Sequence, residues 1–536
     1  MEQTVLIRNI RRELDASDEA FLSSCRKKWD LPENEQIRLR IVRQSLDARK
    51  KNDIFFLVHA EVTADRKLID RLLRNRKLDT ERIEQEPQQT FVFGTEQLEG
   101  RIVVAGLGPG GLFAAWKLAE NGYAPLVIER GKEIEKRAKD VETYWNGGSL
   151  DPESNVMFGE GGAGTFSDGK LTTRIKDARV SAIMEQLIGC GAPEEIRYLA
   201  KPHIGTDRLR NVVKNMREEI ERLGGEVRFG AKLSGIRTRD GILQKILIEQ
   251  NGQMETIACS ALVLAIGQGA RDTYRMLFSS GIAMQPKAFA VGVRAEHPQE
   301  LINRSQYGEF WNHPRLGAAE YRLTAKSGTL GVYTFCMCPG GRVIASASGE
   351  NQIVVNGMSD FARDGENANA AVVVQVGPEQ FGNSPLDGLL FQEKIEADAY
   401  RLGEGTAPAC MIGDFLNHTG SSAFSAVRPT YRPYPRPADL WGCLPDFVAQ
   451  GVQDGLIGFG KQLKGYDMRE AVLTAVESRT SAPVRILRGE DRQSVSCKGL
   501  FPVGEGAGYA GGIVSAAADG LHAAEAVMRI FAPDNV

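Results

Sequence analysis

The sequence predicts an α/β fold built around a nucleotide-binding unit of alternating strands and helices, and three features carry that expectation. A short apolar run, Arg101 to Ala105, feeds directly into Gly106-Leu107-Gly108-Pro109-Gly110-Gly111 and then into the Ala/Leu helical stretch Leu112 to Asn121. A second run, Pro125 to Ile128, ends on the acid Glu129, and a third, Ser260 to Gly267, ends in small residues. Strand, glycine turn, helix, strand and acid in that order form the βαβ pattern of a Rossmann-like dinucleotide site.

Composition sets the outer limits. The 536 residues are 42% hydrophobic and 25% charged, with a formal net charge of −3, which is ordinary globular composition. At roughly 100 to 200 residues per domain, about three domains are expected. The balanced charge gives no general pull toward nucleic acid or an anionic membrane. No run of about 18 apolar residues occurs, and Met1 to Ile10 lacks the apolar core of a signal peptide, so a soluble, cytoplasmic protein is expected. The eight cysteines fit reduced thiols better than a disulfide framework, and no Cys-x-x-Cys pair or Cys/His spacing points to a metal.

Residues 1–95 read as a separate unit. Val5 to Ile10 is strand-like, Asp18 to Trp29 is helical after the cap Ser17, and Gln36 to Ser45 with Asp53 to Val62 alternates like a hairpin. A second helix, Asp65 to Leu73, and an extended Thr90 to Phe93 complete a β-α-β-β-α-β order, which predicts a ferredoxin-like sandwich. Its basic clusters, Arg26-Lys27-Lys28 and Arg49-Lys50-Lys51, read as a solvated helix end and a hairpin turn; contact with RNA or another protein is the alternative. The polar stretch Glu84 to Gly100 is the expected linker. Residues 100–284 then form the first part of the nucleotide-binding domain. Short alternating runs such as Phe289 to Ala295, Leu330 to Cys336, Val343 to Ala347 and Ala371 to Val376 predict a sheet-rich α+β cap domain inserted over 285–475. Residues 476–536 return to the nucleotide-binding domain.

Each residue of the first motif has a physical task. Gly106 makes the tight turn, Gly108 lets a pyrophosphate approach the backbone, and Gly111 permits close helix packing, while the N-terminus of the helix that follows faces the phosphates; Pro109 and Gly110, in the same turn, are further cofactor-binding candidates. Glu129, followed by Arg130, is expected to accept hydrogen bonds from an adenosine ribose and to repel a 2′-phosphate. The rest of the chain decides between NAD and FAD. Ser260 to Gly267, with Ala265 and Gly267 at its end, resembles the strand that crosses near FAD in two-dinucleotide-fold flavoproteins. Gly499 to Glu505 resembles the Gly-Asp strand of those proteins, with Gly504-Glu505 at the position where, in that pattern, an acid binds the ribityl chain. Gly511-Gly512-Ile513 opens a small-residue helix whose free N–H groups suit negative charge at flavin N1 and O2. Three separated signatures in this chain order favour noncovalent FAD over NAD.

A further loop, Phe158 to Lys170, follows no apolar strand and is therefore not a second nucleotide fold. Its Gly161 and Gly162 are expected to lie against the flavin, with Ser167 or Lys170 donating hydrogen bonds. Taken with Gly147-Gly148-Ser149-Leu150-Asp151, Phe335-Cys336-Met337-Cys338-Pro339-Gly340-Gly341, Asn356-Gly357-Met358-Ser359 and Gly504 to Gly512, the chain resembles a bacterial family of FAD-dependent dehydrogenases over nearly its whole length. More distantly it is similar to glutathione-reductase-like flavoproteins that lack a separate NAD domain. The resemblance implies FAD and an oxidoreductase, and it implies no substrate.

No second strand-turn-helix follows the first, and no Cys-x-x-Cys stands beside these motifs, which argues against a pyridine-nucleotide disulfide reductase. Either NAD(P)H binds transiently over the flavin or an organic substrate itself delivers hydride. The catalytic candidates are Cys336 and Cys338, as a strained and readily reduced disulfide or simply as small buried residues, and Arg479, as a carboxylate clamp or a plain ion-pair partner, with Arg485 nearby. His203 and His297 are acid–base candidates, though a lone histidine is more often structural. The leading reading is an FAD-dependent oxidoreductase that transfers hydride between flavin N5 and a small-molecule substrate. The alternatives are an RNA-modifying flavoprotein that uses the N-terminal unit, and a flavin-bound electron carrier.

Overall fold

The computed structural model describes residues 2–32, 35–83 and 91–533. The N-terminal unit is a four-stranded antiparallel sheet in the order Arg38–Asp47, Phe55–Asp65, Glu2–Glu13, Asp79–Arg82. Two helices, Asp18–Lys28 and Arg66–Arg74, accompany it, and each starts on a side-chain cap: Ser17 accepts from the amide of Ala20 at 3.1 Å and Asp65 from that of Leu68 at 3.0 Å. Strand alternation sends Val5, Ile7, Val58, Ala60 and Val62 inward against Phe21, Leu68 and Leu72.

One expected element is misplaced. The closing strand is Asp79–Arg82, paired with Val5 to Arg8, whereas Phe91 to Phe93 forms no strand and Thr90, like the linker up to it, lies outside the described residues. The reason is physical: Asp79–Arg82 is a short edge strand of mostly charged residues, held by backbone pairing and by the ion pairs Arg8–Glu81 and Arg82–Asp70, so it shows no apolar alternation.

At the centre, parallel strands run in the order Glu226–Phe229, Leu126–Glu129, Arg101–Ala105, Gln253–Leu264, Leu500–Pro502. Ile102 and Val104 join one hydrophobic core and Val103 and Ala105 the other, so the strand is buried on both faces and reads as a continuous apolar run. Helices Pro109–Glu120 and Ile513–Met528 pack against each other beside this sheet. They touch through bare backbone, since a Cβ on Gly520 would sit 2.1 Å from the carbonyl oxygen of Gly110. The strand order reverses at Arg101–Ala105, and the crevice at the carboxyl end of such a switch point is where open α/β sheets receive ligands.

A second large sheet is mainly antiparallel, in the order Thr324–Ser327, Leu330–Cys338, Asn367–Val376, Phe289–Pro298, Val472–Glu477, Pro408–Met411, Arg436–Pro437. The boundary expected at 475/476 falls inside strand Val472–Glu477, because Ala471 to Ser481 contains no glycine or proline to interrupt pairing with Phe289–Pro298. A short pair, Met284–Pro286 with Val484–Ile486, ties the two ends of this region together. Among the described residues no helix is long and apolar enough to cross a membrane.

Candidate functional site

The glycine turn is built by steric exclusion. Gly106 has φ +101°, and a Cβ there would stand 2.3 Å from the carbonyl oxygen of Ala265; at Gly111 it would stand 1.8 Å from that of Gly106. Gly108 is different, because a Cβ there would meet no protein atom closer than the Cα of Gly162, at 3.8 Å. The loop that carries Gly162 is pinned to this turn: the amide of Gly161 donates to the carbonyl of Leu107 at 2.8 Å. Glu129, buried at the end of its strand, accepts from the amides of Leu107 at 2.8 Å and of Gly131 and Gly159 at 2.9 Å each. A carboxylate offers about four acceptor sites, so one remains on Oε2.

A cavity of about 980 Å³ lies over the carboxyl ends of the parallel strands, and strand Leu330–Cys338 of the second sheet forms part of its far wall. It stands at the upper end of the roughly 300–1,000 Å³ usual for ligand and cofactor clefts. From the first motif it is lined by Gly106, Gly108, Pro109, Gly110, Glu129 and Arg130. Gly162, Ser167, Lys170, Ala265 and Gly267 line its flank, and Gly504, Glu505, Gly512 and Ile513 line its floor. Cys336, Cys338 and Arg479 reach it from the other side. Segments about 400 residues apart in the sequence therefore meet around one space. Gly111 and Gly161 do not line it: they shape the turns behind it, Gly161 at φ +83° against Thr165 Oγ1.

Several side chains are engaged otherwise than their positions suggested. Arg130 forms ion pairs with Glu153 at 2.7 Å and Asp272 at 2.8 Å and lies over the ring of Phe158, so its donors are largely committed. Ser167 donates its hydroxyl to the carbonyl of Gly164 at 2.6 Å, which closes its own turn and leaves no proton for a ligand. Lys170 bonds Asp168 at 2.6 Å and the carbonyl of Met337. Arg479 is no free clamp: it is buried on Glu396 through Nε at 3.1 Å and Nη2 at 3.0 Å, with Nη1 on Ser348. Arg271 bonds the same carboxylate at 2.7 and 2.8 Å. Burial alone would raise the Glu396 carboxyl, yet Arg479 and Arg271 hold it down to about 2.

Cys336 and Cys338 are free thiols. Cys336 opens on the cavity in a left-handed conformation, φ +42°, while both terminal nitrogens of Arg294 donate to its carbonyl at 3.2 Å. Cys338, by contrast, is buried, which raises its thiol and disfavours the thiolate needed for disulfide exchange. His203 and His297 do not line the cavity; His297 is buried against the carbonyl of Tyr466 at 2.6 Å, and burial lowers it to about 4, so it stays neutral. Arg485 bonds the carbonyl of Gly508.

Sequence reading missed the residues that hold these walls. Fully buried Arg137, on helix Ile134–Trp145, donates to the carbonyls of Asn155, Val156, Glu160 and Gly162 at 2.6 to 3.0 Å and so fixes the glycine loop. An arginine in a helix rich in charge reads as a solvated face, so no local signal marked it. Gln268 donates to Glu505 at 3.0 Å and to the carbonyl of Arg479 at 2.9 Å; its place beside Gly267 was the available hint. Burial raises Glu505 to about 7.

Residues 288–480 match the family described as FAD-dependent protein, C-terminal domain-like, a stretch that contains every strand of the second large sheet. Residues 4–63 match a domain of unknown function. The chain is 49% identical over 534 residues to an uncharacterized protein of Clostridium beijerinckii, covering 98% of this chain and 99% of that one. The chain belongs to a FAD-dependent flavoprotein family. This flavoprotein is also similar to a flavin-dependent monooxygenase of Mycobacteroides abscessus, 23% identical over 333 residues, or 56% of this chain and 66% of the other. A geranylgeranyl bacteriochlorophyll reductase-like structure from Thermoplasma acidophilum superposes with a TM-score of 0.34 at 13% identity, covering 81% of this chain and 78% of that one.

The residues that line the cavity suit this cofactor. Gly108, Gly267, Gly511 and Gly512 face the cavity with almost nothing to meet an added Cβ: only Gly108 has a protein atom within 4 Å, and that at 3.8 Å. Packing and backbone conformation therefore do not require glycine at Gly108, Gly511 or Gly512, whereas a ligand lying against the backbone would; at Gly267 φ +69° itself favours glycine.

Proposed function

We propose that this flavoprotein is an FAD-dependent oxidoreductase of dehydrogenase type that transfers hydride between flavin N5 and a small-molecule substrate in the cavity. The supporting observation is the bare glycine cradle, which comes from three distant segments and faces one space. In this reading the turn Gly106–Gly111 and the helix begun at Pro109 hold the pyrophosphate. Glu129 uses its remaining acceptor site on the adenosine ribose. Glu505 meets the ribityl chain, and the helix opened by Gly512 and Ile513 points its free N–H groups at the flavin pyrimidine. FAD, when bound, supplies the redox chemistry. The protein orients the two reactants and excludes water.

The remaining parts follow the same reading. Residues 100–284 and 476–536 form the Rossmann-like FAD domain, 285–475 the cap, and 1–95 a ferredoxin-like domain, the last supported by its strand order. NAD(P)H remains the proposed transient donor. A cytoplasmic protein without membrane or nucleic-acid partner fits the balanced charge.

Anaerobic mixing of the FAD-loaded protein with NADH, NADPH and a metabolite panel tests the activity. Bleaching of the flavin by one compound at a catalytically competent rate is expected; a flavin that no panel member or pyridine nucleotide reduces would count against a dehydrogenase and favour the electron-carrier alternative.

A further inference from the structure

We infer that the substrate of this cavity is an organic anion, a small carboxylate with an aromatic or apolar body; the inference rests on the oxidoreductase reading above. The observation is a charge imbalance confined to one corner. The loop that carries Lys170 and Arg174 pairs with the segment that carries Lys201 through the bridge Lys170–His203. The segment Glu320 to Arg322 joins them, because Lys201 bonds Glu320 at 3.1 Å.

In this corner two carboxylates are already shared. Asp168 is held by Lys170 at 2.6 Å and by Arg363 Nε at 2.9 Å, and Glu320 by Arg363 at 2.9 Å and by Lys201. Arg174 and Arg322 line the same cavity, are exposed, and have no acidic partner among the described residues. The corner is therefore left with unneutralised guanidinium charge. The opposite end of the cavity shows no such surplus: Arg130 is matched by Glu153 and Asp272, and Lys232 by Glu153 and Glu249.

Unpaired guanidinium forks at a cleft mouth attract anions and fit the geometry of a carboxylate. The body of the ligand has its own surface. Tyr333 and Phe335, two apart on strand Leu330–Cys338, share one strand face, line the cavity, and pack on an apolar cluster of Ala290, Ala371 and Val373. An anionic head at Arg174 and Arg322 with a flat body on Tyr333 and Phe335 uses both surfaces.

The test uses the FAD-loaded full chain and reads perturbation of the flavin spectrum during titration with benzoate, with its uncharged analogue benzamide, and with 2′,5′-ADP as a probe of nucleotide phosphate. Benzoate is expected to bind at least about tenfold more tightly than benzamide, and Arg174→Gln with Arg322→Gln together to remove about tenfold of the benzoate affinity while leaving benzamide and FAD content unchanged. Added salt is expected to weaken benzoate alone, without any variant, because the two cations are exposed. Equal binding of benzoate and benzamide would overturn the inference, as would selection of 2′,5′-ADP over benzoate. A chain that takes up no FAD would instead overturn the flavin reading, and with it this inference.

Discussion

The two sides of the cavity are built from different materials. The nucleotide side is backbone: glycines whose missing side chains leave room, set against a loop that one buried arginine, Arg137, holds by its carbonyls. The opposite side is side chain: Arg479, Glu396 and Arg271 form a buried ion-paired cluster, and Arg294 spans Glu477, Asn369 and the carbonyl of Cys336. The first design leaves room for a ligand lying close against the backbone. The second fixes a rigid wall.

Breaking one member of that ion-paired cluster should give the largest effect. Glu396→Ala leaves Arg479 buried without its ion-pair partner and Arg271 with only Glu393 at 4.0 Å, at a cost of about 3–5 kcal/mol, which denaturant unfolding will read. Because Glu396 is held at about 2 against an ordinary 4.5, the stability it adds is present above pH 4.5 and drains away as pH falls toward 2. The acid limb of the wild-type unfolding profile should therefore be steeper than that of Glu396→Ala.

On the nucleotide side, Arg137→Met strips the donors from four buried carbonyls. The expected loss is about 3 kcal/mol together with weakened FAD retention. Two glycines sharpen the contrast further. Gly111→Ala drives a Cβ to within 1.8 Å of a backbone oxygen and should cost about 3 kcal/mol of stability, whereas Gly108→Ala meets only the Cα of Gly162 at 3.8 Å and, as a helix N-cap change, should cost the FAD-free protein about 1 kcal/mol or less while lowering FAD affinity about tenfold. Equal thermal shifts for the two would remove the distinction between packing glycines and ligand glycines.

Glu505 gives a smaller, pH-dependent effect. Its carboxyl, raised to about 7, is destabilising once ionised, so the stability of the FAD-free protein should decline between pH 4.5 and 7. Glu505→Gln should flatten that decline and weaken FAD binding. The smallest change is expected at the thiols: with Cys338 buried and its thiol raised, Cys336→Ser with Cys338→Ser should leave flavin reoxidation within about twofold. A large loss would restore the disulfide role.

The same contrast explains what was legible in the sequence. Gly106, Gly108 and Glu129 announce themselves because their task is local: a turn, a close approach and a strand-end acid repeat a fixed spacing. The opposite wall has no such spacing. Glu396 and Arg479 are 83 residues apart and Arg271 is 125 from Glu396, so their meeting is set by sheet order that no short window records. Arg479 was singled out for its type and proves to be a strut. Asp79–Arg82 was missed for a related reason, since a charged edge strand carries no apolar rhythm.

The central claim, that the glycine cradle holds FAD noncovalently, is tested most directly by flavin content. The protein is loaded with FAD, passed through gel filtration and precipitated with acid, and the supernatant and pellet are assayed by absorbance and mass. Stoichiometric FAD in the supernatant above a colourless pellet is the predicted result. A chain that retains no FAD, or a flavin that stays with the pellet, would contradict it.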